Sequence, residues 1–284
     1  TSYDVHFGPN INPPVVQNTT GTSFNPGTLN PNQTYYWWVA AKNSFGGTAS
    51  QFYQFTTIAQ TDSAARSSHV FPQMVDGVGW TSFLLATNPG REGTVCNFVP
   101  KGGLDASRLA QPGEFFLPPN GGSSLVFTKA TASLAVVYGT LDCTQPVTAQ
   151  LTYIQQNGAT VISMAAVPSS DSARAAQLQF LNFSGFRTAF AIANDSLAPI
   201  SCEIALSYET VVLGNKVRVV QGTAWVVVEP KTNLARFADE IVSLDPAVGT
   251  GIVGIECSDS VQAVGLLFNG SSFSTAPVTI LDQT

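Results

Sequence analysis

Only two histidines stand in this 284-residue chain, His6 and His69. Histidine is the commonest general acid–base, so any Ser-His-Asp chemistry would have to run through one of them. No serine stretch carries the spacing of a nucleophile elbow, and both histidines are expected to be structural or surface groups. The densest carboxylate cluster is Asp239, Glu240 and Asp245 in "ADEIVSLD". Glycoside hydrolysis needs two carboxylates that flank the scissile bond. Asp239 and Glu240, adjacent on a helical turn, instead point outward side by side, where capping and solvation account for them. Asp142 in "LDC" and Glu256 in "IEC" are expected to alternate outward from a strand whose apolar neighbours are buried. Calcium needs several oxygens within one loop, and "NDS" (Asn194–Ser196) and "CSDS" (Cys257–Ser260) fall short of that. "PNGGSS" (Pro119–Ser124) reads as a β-turn rather than a phosphate loop. The expectation is a protein without catalytic residues, metal or cofactor.

The four cysteines belong to an internal repeat. "GWTSFLLATN" (Gly79–Asn88) aligns without a gap to "GFRTAFAIAN" (Gly185–Asn194), and a cysteine follows eight residues after each asparagine, at Cys96 and Cys202. "GTLDCTQPVTAQL" (Gly139–Leu151) matches "GIECSDSVQAVGL" (Gly254–Leu266) around Cys143 and Cys257. Tandem copies of one domain are the economical explanation. Of the three connectivities four cysteines allow, only Cys96–Cys143 with Cys202–Cys257 uses equivalent positions in both copies. Each bridge would stabilise by roughly 4 kcal/mol through loop closure, and implies an oxidising compartment. A cysteine-only metal site has no C-x-x-C pair or nearby histidine to support it.

The elements that carry these residues read as strands. Val, Thr, Phe and Ile come in short runs separated by Gly, Pro, Asn and Ser clusters. "NLARFADEIVSL" (Asn233–Leu244) is the one helical pattern, with Asn233 as a cap. The fold class expected is all-β: three tandem immunoglobulin-like sandwiches, the first incomplete. The boundaries are 1–58 for the first module, 59–68 for a linker, and 69–172 and 173–284 for the repeats.

Composition narrows the function. Apolar residues make up 44% of the chain and charged ones 11%, well under the usual quarter or so. A surface so poor in charge is weakly protected against association, which suggests glycan cover or burial in an assembly. The net charge of −6, with twelve scattered Lys and Arg, argues against nucleic acid. No apolar run has the length of a membrane span; the longest, "WVVVEP" at Trp225–Pro230, is broken by Glu229. Polar sequence follows Thr1 where a leader would be apolar, so a leader is expected to be already removed or to lie in a longer precursor. Asn-x-Ser/Thr sequons stand at Asn18, Asn32, Asn182, Asn194 and Asn269 as candidate glycosylation sites.

Aromatic residues are the remaining candidates for ligand contact. Tyr36, Trp38, Trp80, Phe186 and Trp225 could stack on sugar rings. Strand alternation in "YYWW" sends Tyr35 and Trp37 to one face and Tyr36 and Trp38 to the other. Trp80 and Phe186 share a repeat position, which fits a core or inter-domain role.

The spacing Leu29-x-Pro31-x-x-x-Tyr35 resembles the tyrosine corner of fibronectin type III domains, and "YYWWVAAKNSFGG" followed by "FTT" resembles the last two strands of that family. The resemblance covers residues 1–58. It implies two further strands before "YDVHFG" (Tyr3–Gly8), and these are missing, so one sheet would be short and its edge open. Either the missing strands belong to sequence before Thr1, or that edge, with Tyr3, Val5 and Phe7, is expected to invite a strand from a neighbouring chain. The repeats resemble domains found in tandem in large secreted bacterial proteins, through Gly79-Trp80-Thr81 and Phe268-Asn269-Gly270. This implies an extracellular structural or binding role and supplies no catalytic residues. The expected function is an extracellular structural or adhesive subunit of a surface fibre, filament or layer that self-associates through strand edges. The alternative is a carbohydrate-binding accessory module of a secreted polysaccharide-degrading protein, gripping polysaccharide through Tyr36 and Trp38.

Overall fold

The computed structural model describes residues 1–27, 29–30, 33–57, 67–102, 106, 109, 113–127 and 133–281. Pro31 of the corner spacing, the sequon Asn32 and most of the linker 59–68 lie outside the described residues. The chain divides into two compact units, Thr1–Ala64 and Ala65–Thr284.

The first unit is one antiparallel sheet of β1 (Ser2–Gly8), β2 (Val15–Thr19), β3 (Thr34–Asn43), β4 (Gly46–Ala49) and β5 (Tyr53–Thr56). The order is β2-β1-β3-β4, with β5 beside the first half of β3. This corrects the expected assembly edge. Tyr3, Val5 and Phe7 lie on an interior strand: Val5 is opposite Gln17 of β2 on one side and Val39 of β3 on the other. "VVQNT" forms β2 because Pro13 and Pro14 precede it and neither removes a ladder donor. "TSFNP" forms no strand. Tyr35 is buried, and its hydroxyl accepts the Asn30 N–H at 2.9 Å, which ties the chain entering β3 to the strand itself.

The second unit is all-β and built twice on one plan. The first copy comprises β6 (Ser67–Asp76), β7 (Trp80–Thr87), β8 (Thr94–Lys101), β9 (Gly113–Leu117), β10 (Gly122–Phe127), β11 (Ala135–Cys143), β12 (Thr148–Asn157) and β13 (Thr160–Pro168). Its sheets run β6-β11-β8-β9 and β10-β7-β12-β13. The second copy comprises β14 (Ala173–Leu181), β15 (Phe186–Asn194), β16 (Ile200–Val212), β17 (Asn215–Val228), β18 (Thr232–Phe237), β19 (Thr250–Asn269), β20 (Ser272–Ala276) and β21 (Val278–Ile280). Here β14-β19-β16-β17 repeats the first order and β18-β15-β19-β20 the second. The long strand β19 serves in both, where the first copy breaks it into β11 and β12. In each copy apolar residues alternate inward and meet in one core, such as Phe71 and Met74 against Leu84, Leu151 and Val167.

Both cysteine pairs are bonded, Cys96 to Cys143 and Cys202 to Cys257. Each pair sits directly across two neighbouring strands, β8/β11 and β16/β19, with Cα atoms 4.1 and 4.0 Å apart. The helical pattern at Asn233–Leu244 is corrected: residues Thr232–Phe237 are β18, paired with β15, and only α1 (Ala238–Ile241) is helical. Pairing Leu234 opposite Ile192 and Ala235 opposite Ala191 extends the sheet over the core, which outweighs a weak local helix preference.

The copies share polar fixtures as well as strands. Asn88 and Asn194 are both buried and knot the same loops. The Asn88 amide donates to the carbonyls of Glu92 (2.7 Å) and Pro118 (3.1 Å), and its carbonyl accepts from Gly90 N–H (2.9 Å). The Asn194 amide donates to Ala198 (2.8 Å) and Val228 (2.9 Å), and its carbonyl accepts from Ser196 N–H (2.9 Å). Gly79 and Gly185 close the hairpins before these strands with φ of 82° and 81°, a region that favours glycine. A side chain on Gly79 would also strike the Gln156 carbonyl at 2.4 Å.

The copies are not separated by an exposed linker. Trp80 of the first copy packs on Phe273 of the second with ring centroids 4.9 Å apart, and Ala189, Ala191, Val264 and Leu266 join the first copy's core. This places Trp80 between the copies; Phe186 lies against Phe183 at 5.7 Å. Replacing Asn88 or Asn194 with alanine leaves buried backbone groups without partners, at about 1–3 kcal/mol each. Each variant is expected to lose about 3 kcal/mol of stability, read by urea denaturation of the disulfide-intact protein.

Candidate functional site

Strand alternation gives the first unit two unlike faces. Tyr3, Val5 and Phe7 of β1 share one face with Tyr35, Trp37 and Val39 of β3 and Phe55 of β5. Phe7 lies 5.2 Å from Tyr35 and 5.7 Å from Phe24, and Trp37 stacks on Tyr53 at 4.6 Å. These side chains floor a groove of about 510 Å³, walled by Phe24 and Pro26 of the segment after β2. Among the described residues no charged side chain lines it. The groove is therefore built to bury apolar groups, and supplies neither a nucleophile–base pair nor a metal ligand set. Its size is within the range of ligand sites, roughly 300–1,000 Å³.

The opposite face is polar and self-paired. Asp4 takes an ion pair from Lys42 and a hydrogen bond from the Asn18 amide. The Lys42 bond first, then the Asn18 bond, holds the Asp4 carboxyl below its ordinary pKa. Tyr36 and Trp38 do point to this face, as alternation requires, but neither is bare. His6 stacks on Trp38 at 3.5 Å and its Nδ1 is 3.0 Å from the Pro13 carbonyl, while Tyr36 leans on Phe52 at 5.7 Å.

In the second unit the candidates for chemistry fall apart as a site. His69 Nε2 is 3.1 Å from the Val147 carbonyl and 2.9 Å from Ser67 Oγ, and its Nδ1 is 3.1 Å from Ser169 Oγ. Among the described residues no carboxylate bonds the ring; it ties together the start of β6, the residue before β12 and the residue after β13. Asp239 is not merely solvated, as the sequence had suggested. Arg187 binds it with two bonds, 3.0 and 2.7 Å, while the guanidinium lies over Phe237 at 3.8 Å. The Asp239 bond is the main reason the Arg187 pKa is raised. Glu240 caps α1 by accepting the Phe237 N–H at 3.3 Å. Asp142 and Glu256 do occupy outward positions, opposite Asn97 and Glu203. Among the described residues no group of three His, Cys, Asp or Glu side chains is placed to hold a metal ion.

One polar node was not foreseen. Asp195 accepts from Lys101 (2.8 Å) and the Tyr138 hydroxyl (2.8 Å) of the first copy and from Lys231 (3.1 Å) of the second. Burial is the largest single influence and would raise its pKa, but the three donors together outweigh it and hold the carboxyl below the usual range. Burial, then the bond to Asp195, pushes the Tyr138 hydroxyl up. The signal for Asp195 was its place directly after Asn194, and nothing in the sequence names partners 94 and 57 residues away.

The sequons divide by burial. Asn194 is fully buried with its amide committed to two carbonyls, so it is withdrawn as a glycosylation site. Asn18 and Asn269 are exposed and Asn182 is half-buried.

No family model matches the chain, and no curated protein matches it. Among solved structures, one chain from work titled "Structural basis for the promiscuous specificity of the carbohydrate-binding modules from the beta-sandwich super family" aligns over 98% of this chain and 85% of its own, at 11% identity. Its TM-score is 0.21, too slight a likeness to assign a function.

The Asp195 node sets a pH dependence. A folded pKa below the unfolded value of about 3.9 adds stability that is complete above that pH and lost as the pH falls through the folded value. Asp195→Asn is expected to cost about 1–3 kcal/mol at pH 7, with the gap to wild type closing below about pH 4. Thermal melts from neutral to acid pH read this directly.

Proposed function

We propose that the protein is an extracellular, non-catalytic structural or adhesive subunit of a surface fibre, filament or layer, completed at its N-terminal sheet by a neighbouring chain. The observation that supports this is the apolar groove over Val5, Phe7, Trp37 and Val39. A sheet with one apolar face needs a second layer to cover it, and among the described residues this one has only the segment through Phe24 and Pro26. The working groups are the inward side chains of β1 and β3 rather than the β1 backbone, whose two sides are already paired. An apolar strand laid over the face would bury that surface at about 25 cal/mol per Å². Two disulfides agree with an oxidising compartment, and the sparse surface charge favours association.

Negative-stain electron microscopy of the unreduced protein is expected to show filaments or sheets. Val39→Glu puts a charge into the groove and is expected to disperse them, with the circular dichroism of the second unit unchanged. Dispersed wild-type particles at high concentration would remove this function.

A second function, a carbohydrate-binding module, draws support from Tyr36, Trp38 and Phe52 lined along the outer face. Base or sugar stacking on one such ring contributes about 1–3 kcal/mol by analogy with aromatic stacking elsewhere. Trp38→Ala should then reduce retention on insoluble polysaccharide at least about tenfold; unchanged retention rules those rings out as the platform.

A further inference from the structure

Unpaired strand edges are templates for another chain, and folded proteins shorten or cover them. The second unit does so at nearly every edge among the described residues. β9 and β10 have five and six residues, β18 six and β21 three. β13 and β20 lie edge to edge, with Ser163 Oγ accepting the Phe273 N–H at 3.0 Å. On β6 the carbonyls of Val70 and Pro72 accept from Ser170 N–H and the Asn233 amide. β17 is the exception: fourteen residues, Asn215–Val228, ending the sheet order with β16 on one side only.

The side chains of β17 divide into two unlike halves. A bulge between Leu206 and Ser207 on the partner register shifts the alternation at Gln221. Before it Lys216, Arg218 and Val220 share the outer face, and after it Thr223, Trp225 and Val227. Trp225 is 69% exposed and Val227 54%. Trp225 stands opposite Glu203, which stands opposite Glu256. Among the described residues no cation pairs with either glutamate. Like charges directly opposite in a sheet are unfavourable. One half of the strand thus carries cations: Lys216 in an exposed pair with Glu209 at 3.5 Å, and Arg218 donating through Nε to Ser207 Oγ at 2.8 Å, its other guanidinium nitrogens free of any ion pair among the described residues. The other half carries an aromatic ring beside unpaired carboxylates.

We propose that β17 pairs antiparallel with β17 of a second copy about a twofold axis between Gln221 and Gly222. This register uses the whole strand, Asn215 opposite Val228, and it matches outer face to outer face because the bulge has shifted the alternation. Arg218 of each copy then lies opposite Trp225 of the other, within reach of Glu203, and Lys216 lies opposite Val227. The contact is isologous, so every pairing occurs twice. A cation over a tryptophan face adds to the strand pairing, and more so when desolvated. A single strand pair is smaller than a standard interface, so the dimer is concentration-dependent. This contact is separate from the groove of the first unit and does not depend on the function proposed for it.

Sedimentation equilibrium of the full chain tests it, in wild type and in Val39→Glu alike, so that any groove contact is removed from the second series. Val39→Glu is expected to show a reversible dimer, and wild type the same dimer beneath any larger assembly that the groove adds. Trp225→Lys sets two cations against each other and should weaken the dimer at least about tenfold; Trp225 is exposed, so the fold is untouched. Arg218→Glu added to Trp225→Lys should restore it, because each new lysine then meets a glutamate. A monomer at about 100 µM, an unweakened Trp225→Lys dimer, or a double variant no tighter than the single one would each overturn the proposal. Loss of higher assemblies in Val39→Glu with the dimer intact would concern the groove alone.

Discussion

An antiparallel strand with alternating side chains makes a sheet with one wet face and one apolar face, and water tolerates the second only when another layer covers it. The second unit meets that condition four times over. Its sheets face one another in pairs around two cores, and Trp80, Phe268 and Phe273 pack together where the two copies meet. The first unit meets it only in part. Three of its five strands carry Tyr3, Val5, Phe7, Trp37, Val39 and Phe55 to one side, and among the described residues a single irregular segment crosses them. That imbalance leaves the apolar face of the first unit less covered than those of the second.

The two copies show which features the sandwich cannot do without. The buried asparagine at the end of β7 or β15, the glycine hairpin before it and the cross-strand disulfide recur with the same partners in each. All three act on backbone that would otherwise be buried unpaired, strained or free to move, so substitution there is costly in either copy. The outer sheet face is under no such demand. Where the first copy places Glu114 opposite Asn97 on a five-residue edge strand, the second places Trp225 opposite Glu203 on one of fourteen. Divergence collects where packing does not forbid it, and that is also where a partner would be met.

The charged residues are few, and several are occupied in holding the fold. Arg187 bridges Asp239 and Phe237, Lys101 and Lys231 close on Asp195, and Lys42 on Asp4. Asp239 and Glu240 looked like the best acid pair, yet one is bound to a guanidinium and the other to a helix N-terminus. Both are thereby committed to the fold.

Much of the fold was legible without coordinates because its signals are local. Period-two alternation assigned β3 and sorted Tyr35 and Trp37 from Tyr36 and Trp38, and the repeated "T…N" and cysteine blocks paired all four cysteines. The bond between the Tyr35 hydroxyl and the Asn30 N–H is likewise local, spanning five residues. The failures were relations between distant segments. β2 was hidden by the prolines before it, so Tyr3, Val5 and Phe7 were placed on an edge when they are central. Leu234 to Phe237 carried a helical spacing, and only the presence of β15 alongside made them a strand. Asn194 satisfied a three-residue sequon, whereas its burial depends on Val228, 34 residues on. Strand content and facing are fixed by side-chain period, a property of neighbours in sequence. Which edge is paired and which face is covered depends on long-range pairing, and that only the tertiary structure decides.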